Sequence, residues 1–299
     1  MIKTDETLNM LEAGIKGLKE SENYKQYLKT MAKFHAYSPN NCMLIAMQRP
    51  DATLVAGYNT WVEKFHRYVK KGEKGISIIS PSEYVLEKPV FKDGKPVFDE
   101  NGSLLTEKIK KRGFRTTTVF DISQTEGDPL PEITNVLTGP VEGFYDYLNA
   151  IDSISPVPIR FDDINQNGYY SANKQEIVIK RGMPEEQTIK TLLHECAHAL
   201  LGHGKDDGLT KETREVQAES VAFVCCNALG IDSSNYSFGY IAGWSSNKET
   251  AELRKNLNII RLTSNMMIEG VQASLKESMD LRQNLNLRLE LEGMELNMS

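Results

Sequence analysis

The stretch HECAHALLGH, residues 194–203, decides how this chain is read. His194 and His198 stand four apart, and side chains at that spacing leave a helix on one face, so two imidazoles can reach one metal ion. Glu195 points beside that face, where a carboxylate can hold and deprotonate a metal-bound water whose pKa has fallen to about 7. This is the HExxH arrangement of zinc-dependent peptidases. Its surroundings are helical. Pro184 stands at a first helical position with Glu185 and Glu186 behind it, and Ile189, Leu192, Leu193, Cys196, Ala197 and Leu200 recur at helical spacing before Gly202 ends the run.

A catalytic zinc needs a third protein ligand and an open position for water. Glu215, 17 residues after His198, opens the next apolar-faced helix and is assigned as that ligand. Glu219 shares its face and is read as a carboxylate that accepts the remaining ring N–H of a ligand histidine, although the two glutamates can exchange roles. His203 is read as a polar residue that supports the site from nearby, with metal ligation as the alternative. Its spacing argues against it: a metzincin needs HExxHxxGxxH, whereas here the step from His198 to His203 is five and Gly202 follows His198 by four.

Cys42, Cys196, Cys225 and Cys226 form no CxxC pair, which removes a structural zinc ribbon and leaves reduced core residues. The N-terminus is acidic from Asp5 and lacks the apolar block of a signal peptide, and no run of about 18 apolar residues is long enough to span a bilayer. The expectation is a cytoplasmic protein with no membrane partner.

Charge divides the 299 residues unequally. Residues 1–120 hold 20 Lys plus Arg against 14 Asp plus Glu, and residues 121–299 hold 15 against 27. A basic half joined to an acidic half suggests that the first meets a polyanion while the second does something else. Helical patterns at 5–19, 22–35 and 42–47 open the chain, Asn59 and Thr60 can cap a helix from Trp61 to about Val69, and strands follow at 76–79, 84–91 and 113–120 with Asp93-Gly94 and Asn101-Gly102 as turns. DISQTEGDPLP, residues 121–131, reads as the start of a linker. Beyond it come a helix at 141–151, a strand at 158–161, a hairpin of 168–171 with 176–180, the metal helix, and an amphipathic tail from about 247 to 287.

In the basic half, cations alternate with aromatic residues over 61–75, a pattern that suits single-stranded nucleic acid, where bases stack on rings and cations neutralise phosphates. The DNA-binding candidates are Trp61, Lys64, Arg67, Lys70, Lys71 and Lys74, with Arg112 and Arg115 from a second cluster that includes Lys108, Lys110 and Lys111. Trp61, Phe65 and Tyr68 also lie near helical spacing, which is the signature of core residues.

Several separated blocks then occur in order: SPNNCMLIAMQRPDATLVAGYNTW (38–61), VKKGEKGISIISP (69–81), TTTVFDISQTEG (116–127), HECAHALLGH and REVQAESVAFVCCN (214–227). Together they resemble the ArdC family of antirestriction proteins from mobile elements, over residues from about 20 to 245. The resemblance implies an α+β chain of two domains. Residues 1–125 would be a single-stranded-DNA-binding domain, 126–140 a linker, 141–245 a zincin-like metallopeptidase domain and 246–299 a C-terminal helical extension. It implies Zn2+ as cofactor, His194 and His198 as ligands, Glu195 as the catalytic glutamate, and the Glu215 region as the helix that completes the site. The partners expected are single-stranded DNA, with duplex DNA as a further option, and a protein or peptide substrate. The role implied is protection of incoming conjugative or plasmid DNA from host restriction. Two other readings stay open: a DNA-coating protein whose zinc domain is structural or inactive, and a peptidase that cleaves a repressor or other host protein.

Overall fold

The computed structural model describes residues 4–92, 95–97, 104–130, 143–204, 206–233, 238, 241–246 and 248–296. The expected turns at 93–94 and 101–102, most of the expected linker, and Val141 lie outside these residues. Three helices come first: α1 (Thr4–Gly17), α2 (Ser21–Lys33) and α3 (Pro39–Gln48). The Ser38 hydroxyl starts α3 by accepting the Asn41 N–H at 3.3 Å, with Pro39 at the first position, where its missing N–H costs nothing. Then come β1 (Val55–Gly57), α4 (Tyr58–Phe65), β2 (Arg67–Val69), β3 (Ile76–Pro89), the short β4 (Phe91–Lys92) and β5 (Lys95–Pro96), β6 (Thr106–Asp121) and β7 (Thr125–Gly127).

Three expectations are corrected in this region. The helix expected from Trp61 to Val69 begins earlier, with Gly57 as its cap, and stops at Phe65 because His66 turns left-handed (φ 51°) and frees Arg67–Val69 to pair with β7. The strands expected at 76–79 and 84–91 are one strand, β3, which runs unbroken through Ser80-Pro81-Ser82 opposite β6. As an edge strand of the order β1-β6-β3, it accommodates a proline whose missing N–H is no loss on that side. Residues 121–127 are ordered: Asp121 caps a 3-10 turn at Ile122–Gln124 with a complete capping box, and β7 closes back on β2.

The second half contains α5 (Phe144–Ile154), β8 (Ile159–Asp162), β9 (Gly168–Ser171), β10 (Glu176–Lys180), α6 (Glu185–Leu200), α7 (Lys211–Ala228), α8 (Ile241–Ser246) and α9 (Thr250–Leu296). Its sheet has the order β8-β10-β9, with β10 parallel to β8 and antiparallel to β9, so β9 is an edge. Helix α7 begins four residues before Glu215, because the Thr210 hydroxyl caps it by accepting the Thr213 N–H.

One apolar core runs through both halves. Tyr24 and Tyr27 of α2 are buried against α7, where the Tyr24 hydroxyl meets Ser220 Oγ at 2.8 Å, and Phe238 sits edge-on to both Tyr24 and Phe223. The tail after residue 246 is part of this core: Ile260, Met267, Ile268 and Val271 of α9 are fully buried. No helix among the described residues is long and apolar enough to cross a membrane.

Candidate metal centre

Helix α6 brings His194 and His198 to one face, and α7 crosses it with Glu215 and Glu219 turned toward them. Three atoms converge: His194 Nε2 and His198 Nε2 are 3.0 Å apart, and Glu215 Oε2 lies 3.5 and 3.7 Å from them. These three residues form a group able to hold a metal ion. Ligands held tetrahedrally at about 2.1 Å stand roughly 3.4 Å from one another, so the triangle has the size of a coordination face.

The charge balance fits an ion as well. Burial works against a charge on His194, but Glu215, Glu219 and Glu195 outweigh it and raise its pKa to about 10. The same imidazoles hold the Glu215 carboxyl far below the usual carboxylate range. A group of carboxylates around two rings calls for a cation at their centre, whether proton or metal.

Each ligand ring is oriented by its other nitrogen. Glu219 Oε2 lies 3.0 Å from His194 Nδ1, off the N–H axis, so this contact is an ion pair more than an aligned hydrogen bond. His198 is held by a longer chain whose direction is fixed at a backbone carbonyl. Asn256 of α9 donates its amide N–H to the Glu252 carbonyl at 2.9 Å, which turns its Oδ1 toward Gln217 Nε2, 2.7 Å away. Gln217 Oε1 therefore faces His203 Nε2 at 2.9 Å, making that nitrogen the donor. His203 Nδ1 is left as an acceptor for His198 Nδ1–H at 2.8 Å, and His198 Nε2 keeps its lone pair for the ligand triangle. Burial favours neutral His203, as this role requires.

His203 can do this because α6 ends in a Schellman turn. Gly202 takes φ 64°, its N–H bonds the Ala199 carbonyl, and the His203 N–H bonds that of His198. The turn folds the ring of His203 back against His198. His203 thus lies on the far side of His198 from the three converging atoms and is not one of that group.

Glu195 is buried beside the triangle. Burial raises its pKa, while His194, His198 and the Tyr170 backbone N–H of β9 pull the other way. Two clefts meet at this carboxylate, one bounded by Asn167, Gln187 and Thr191, the other by Tyr169, Tyr170 and Arg214. The sequence reading named His194, Glu195, His198, His203, Glu215 and Glu219, and all six meet here; it did not name Gln217 or Asn256. Gln217 is a buried amide on α7, between Val216 and Ala218 in the sequence.

The nucleic-acid candidates are placed differently. Trp61 is fully buried with its indole N–H donating to the Phe120 carbonyl, so it has no face to offer a base, which corrects its assignment as a stacking residue. Arg67 is spent on Thr125, Gly127 and Asp128, where it clamps β2 to β7, and Lys70 bonds the Ser123 carbonyl. Lys64, Lys71 and Lys74 are exposed on the body, and Arg112 and Arg115 are exposed on the long β3–β6 ribbon.

Residues 3–120 match the model for the N-terminal domain of anti-restriction factor ArdC, and residues 155–226 match the IrrE N-terminal-like domain, a peptidase-family model. Over residues 3–120, then, the chain resembles the N-terminal domain of ArdC. The metal-free crystal structure of the antirestriction ArdC protein from plasmid R388 superposes with a TM-score of 0.50 at 17% identity, covering 79% of this chain and 86% of that one. A Mn(II)-bound structure of that protein gives 0.45 at 16% identity, covering 81% and 84%. An uncharacterized protein of Bacillus anthracis is 29% identical over an alignment of 294 positions that covers 86% of this chain and 49% of that protein. The chain thus spans about half the length of the curated relative it matches. The stretch that matches the peptidase-family model carries the His194, His198 and Glu215 cluster.

Proposed function

We propose that this ArdC-like protein is a zinc-dependent peptidase that also binds single-stranded DNA, and that it acts in the cytoplasm to protect the incoming DNA of a mobile element from restriction. The observation that carries the peptidase reading is the triangle of His194, His198 and Glu215 with a buried carboxylate, Glu195, beside it. Two imidazoles and one carboxylate are a donor set suited to catalytic zinc, which when bound supplies Lewis acidity and a water acidic enough to ionise near neutral pH.

The remaining chemistry belongs to the chain. Glu195, with its pKa raised by burial, is suited to accept a proton from the attacking water and return it to the leaving amine. Strand β9 is the sheet edge along the cleft, so an extended peptide can add to it as a further strand. Gln175 Nε2 donates to the Tyr170 hydroxyl at 3.1 Å, which leaves the phenolic proton free for a developing oxyanion. Tyr169 lines the same cleft as an alternative donor.

The test is Glu195→Gln against wild type, with restriction protection in cells and cleavage of host proteins in vitro measured together. Loss of both, with stoichiometric zinc and DNA affinity unchanged, supports hydrolysis; general acid–base groups of this kind contribute about 10²–10⁴-fold. Full protection by the variant would show that the protein works by coating DNA and would sink the peptidase reading.

A further inference from the structure

The β3–β6 ribbon leaves the body of the protein with its two faces differently equipped. Its base is held by α3: Asn41 exchanges two side-chain hydrogen bonds with the Ile79 backbone and Gln48 does the same with Ser77, so side-chain amides stand in for a neighbouring strand. Beyond Pro81 the ribbon has only two strands, and Glu83–Val85 and Lys110–Arg112 are exposed on both faces. Isolated ribbons of this kind gain nothing from burial, so their side chains are free to serve a partner.

Register sorts those side chains. On one face Glu83 stands opposite Arg112 and Glu87 opposite Lys108, at 4.0 and 3.7 Å, so two of the three cations there are balanced by acids, while Lys110 stands opposite Val85. On the other face Tyr84 is paired with Lys111, with Gly113 and Arg115 next along the same side. Neither Lys111 nor Arg115 has a hydrogen-bond or ion-pair partner among the described residues. Tyr84 rests across the ribbon on Gly113, where an added Cβ would come within 2.8 Å of the ring, and 45% of the residue stays exposed. Glycine at 113 is therefore what lets the ring settle on the ribbon while its outer side remains open.

An exposed ring flanked by two unpaired cations matches the repeat of a single strand, which offers a base to stack and phosphates on either side. Resting on the DNA-binding part of the proposed function, we propose that the Tyr84–Lys111–Arg115 face of the ribbon, and not the 61–74 segment, is where single-stranded nucleic acid docks. A duplex hides its bases and cannot use Tyr84 in this way.

Fluorescence anisotropy with a labelled oligothymidylate, on the full chain, tests the proposal. Tyr84→Ala is expected to weaken binding by about fivefold or more, the loss of one stacked base. Lys111→Ala with Arg115→Ala should lower the slope of log affinity against log salt by roughly 1.4, two phosphate contacts' worth. Gly113→Val removes neither charge nor aromatic ring but lifts Tyr84, and should reproduce much of the Tyr84→Ala loss. Phe114→Ala, an exposed ring on the opposite face, should change affinity less than twofold. Wild-type affinity in all the Tyr84-face variants would move the site off the ribbon while leaving DNA binding intact. Equal losses on both faces, or losses for the cations alone, would also overturn the proposal. No oligonucleotide binding by the wild type would overturn the DNA-binding reading and this proposal together.

Discussion

The metal centre and the ribbon use charge in opposite ways. Around His198 each side chain is fixed by the next, in a chain that ends on the Glu252 carbonyl. On the ribbon, the side chains of Lys111 and Arg115 have no hydrogen-bond or ion-pair partner among the described residues. A coordination site must hold its atoms to within a fraction of an ångström, so the protein orders them in advance. A surface for a flexible polyanion gains more from cations that are free to follow the phosphates.

The sharpest way to break this contrast is to remove a support that touches no metal. His203→Ala and Gln217→Ala are expected to weaken zinc affinity about 10- to 100-fold, as loss of an orienting partner typically does. Competition with a chromogenic chelator measures it, and Co2+ substitution should show altered d–d absorption, which a merely destabilised fold would not produce. Unchanged affinity and spectrum in both variants would mean that the chain of hydrogen bonds is idle.

A smaller effect concerns pH. His194 has a folded pKa near 10 against an ordinary 6.5, so its contribution is fully present below about 6.5 and is lost as pH rises toward 10. Glu215 is depressed, so its contribution is present above the ordinary carboxylate pKa and is lost as pH falls below that range. Thermal melts of chelator-treated protein should fall on both sides of this window, and zinc should flatten the alkaline side. A melting temperature that climbs between pH 6.5 and 10 in the metal-free protein would contradict the assignment.

The smallest effect expected is at the turn. Gly202→Ala places a Cβ in open space but in left-handed backbone, so it should cost about 1 kcal/mol from conformation alone. Denaturant unfolding reads that cost directly. A stabilised variant would mean that the Schellman turn is not needed to bring His203 to His198.

The same contrast separates what the sequence disclosed from what it withheld. The metal helix, the 168–180 hairpin and the Glu215–Glu219 pair were legible because their signals are local: helical spacing, strand alternation and a glycine stop. The ribbon was not, since Ser80-Pro81-Ser82 reads as a break and only pairing with residues 113–115 keeps it extended. Residues 121–127 read as linker because their order comes from β2, about sixty positions away in sequence. His203 was read as a polar residue near the site, but the hydrogen bonds that tie it to His198 and Gln217 had no signal, because spacing rules describe metals and not the supports behind them. Asn256 had no signal of any kind: it lies 39 residues after Gln217, and only the packing of α9 on α7 brings the two amides together.

That last contact gives the C-terminal helix a part in metal traffic. Because α9 holds His198 in the tautomer that a cation needs, no ring has to flip when an ion arrives at that nitrogen. With His194 protonated at neutral pH, the incoming ion instead displaces a proton from the same three atoms. An ion bound at this centre would therefore take the place of a proton within a preset frame of side chains.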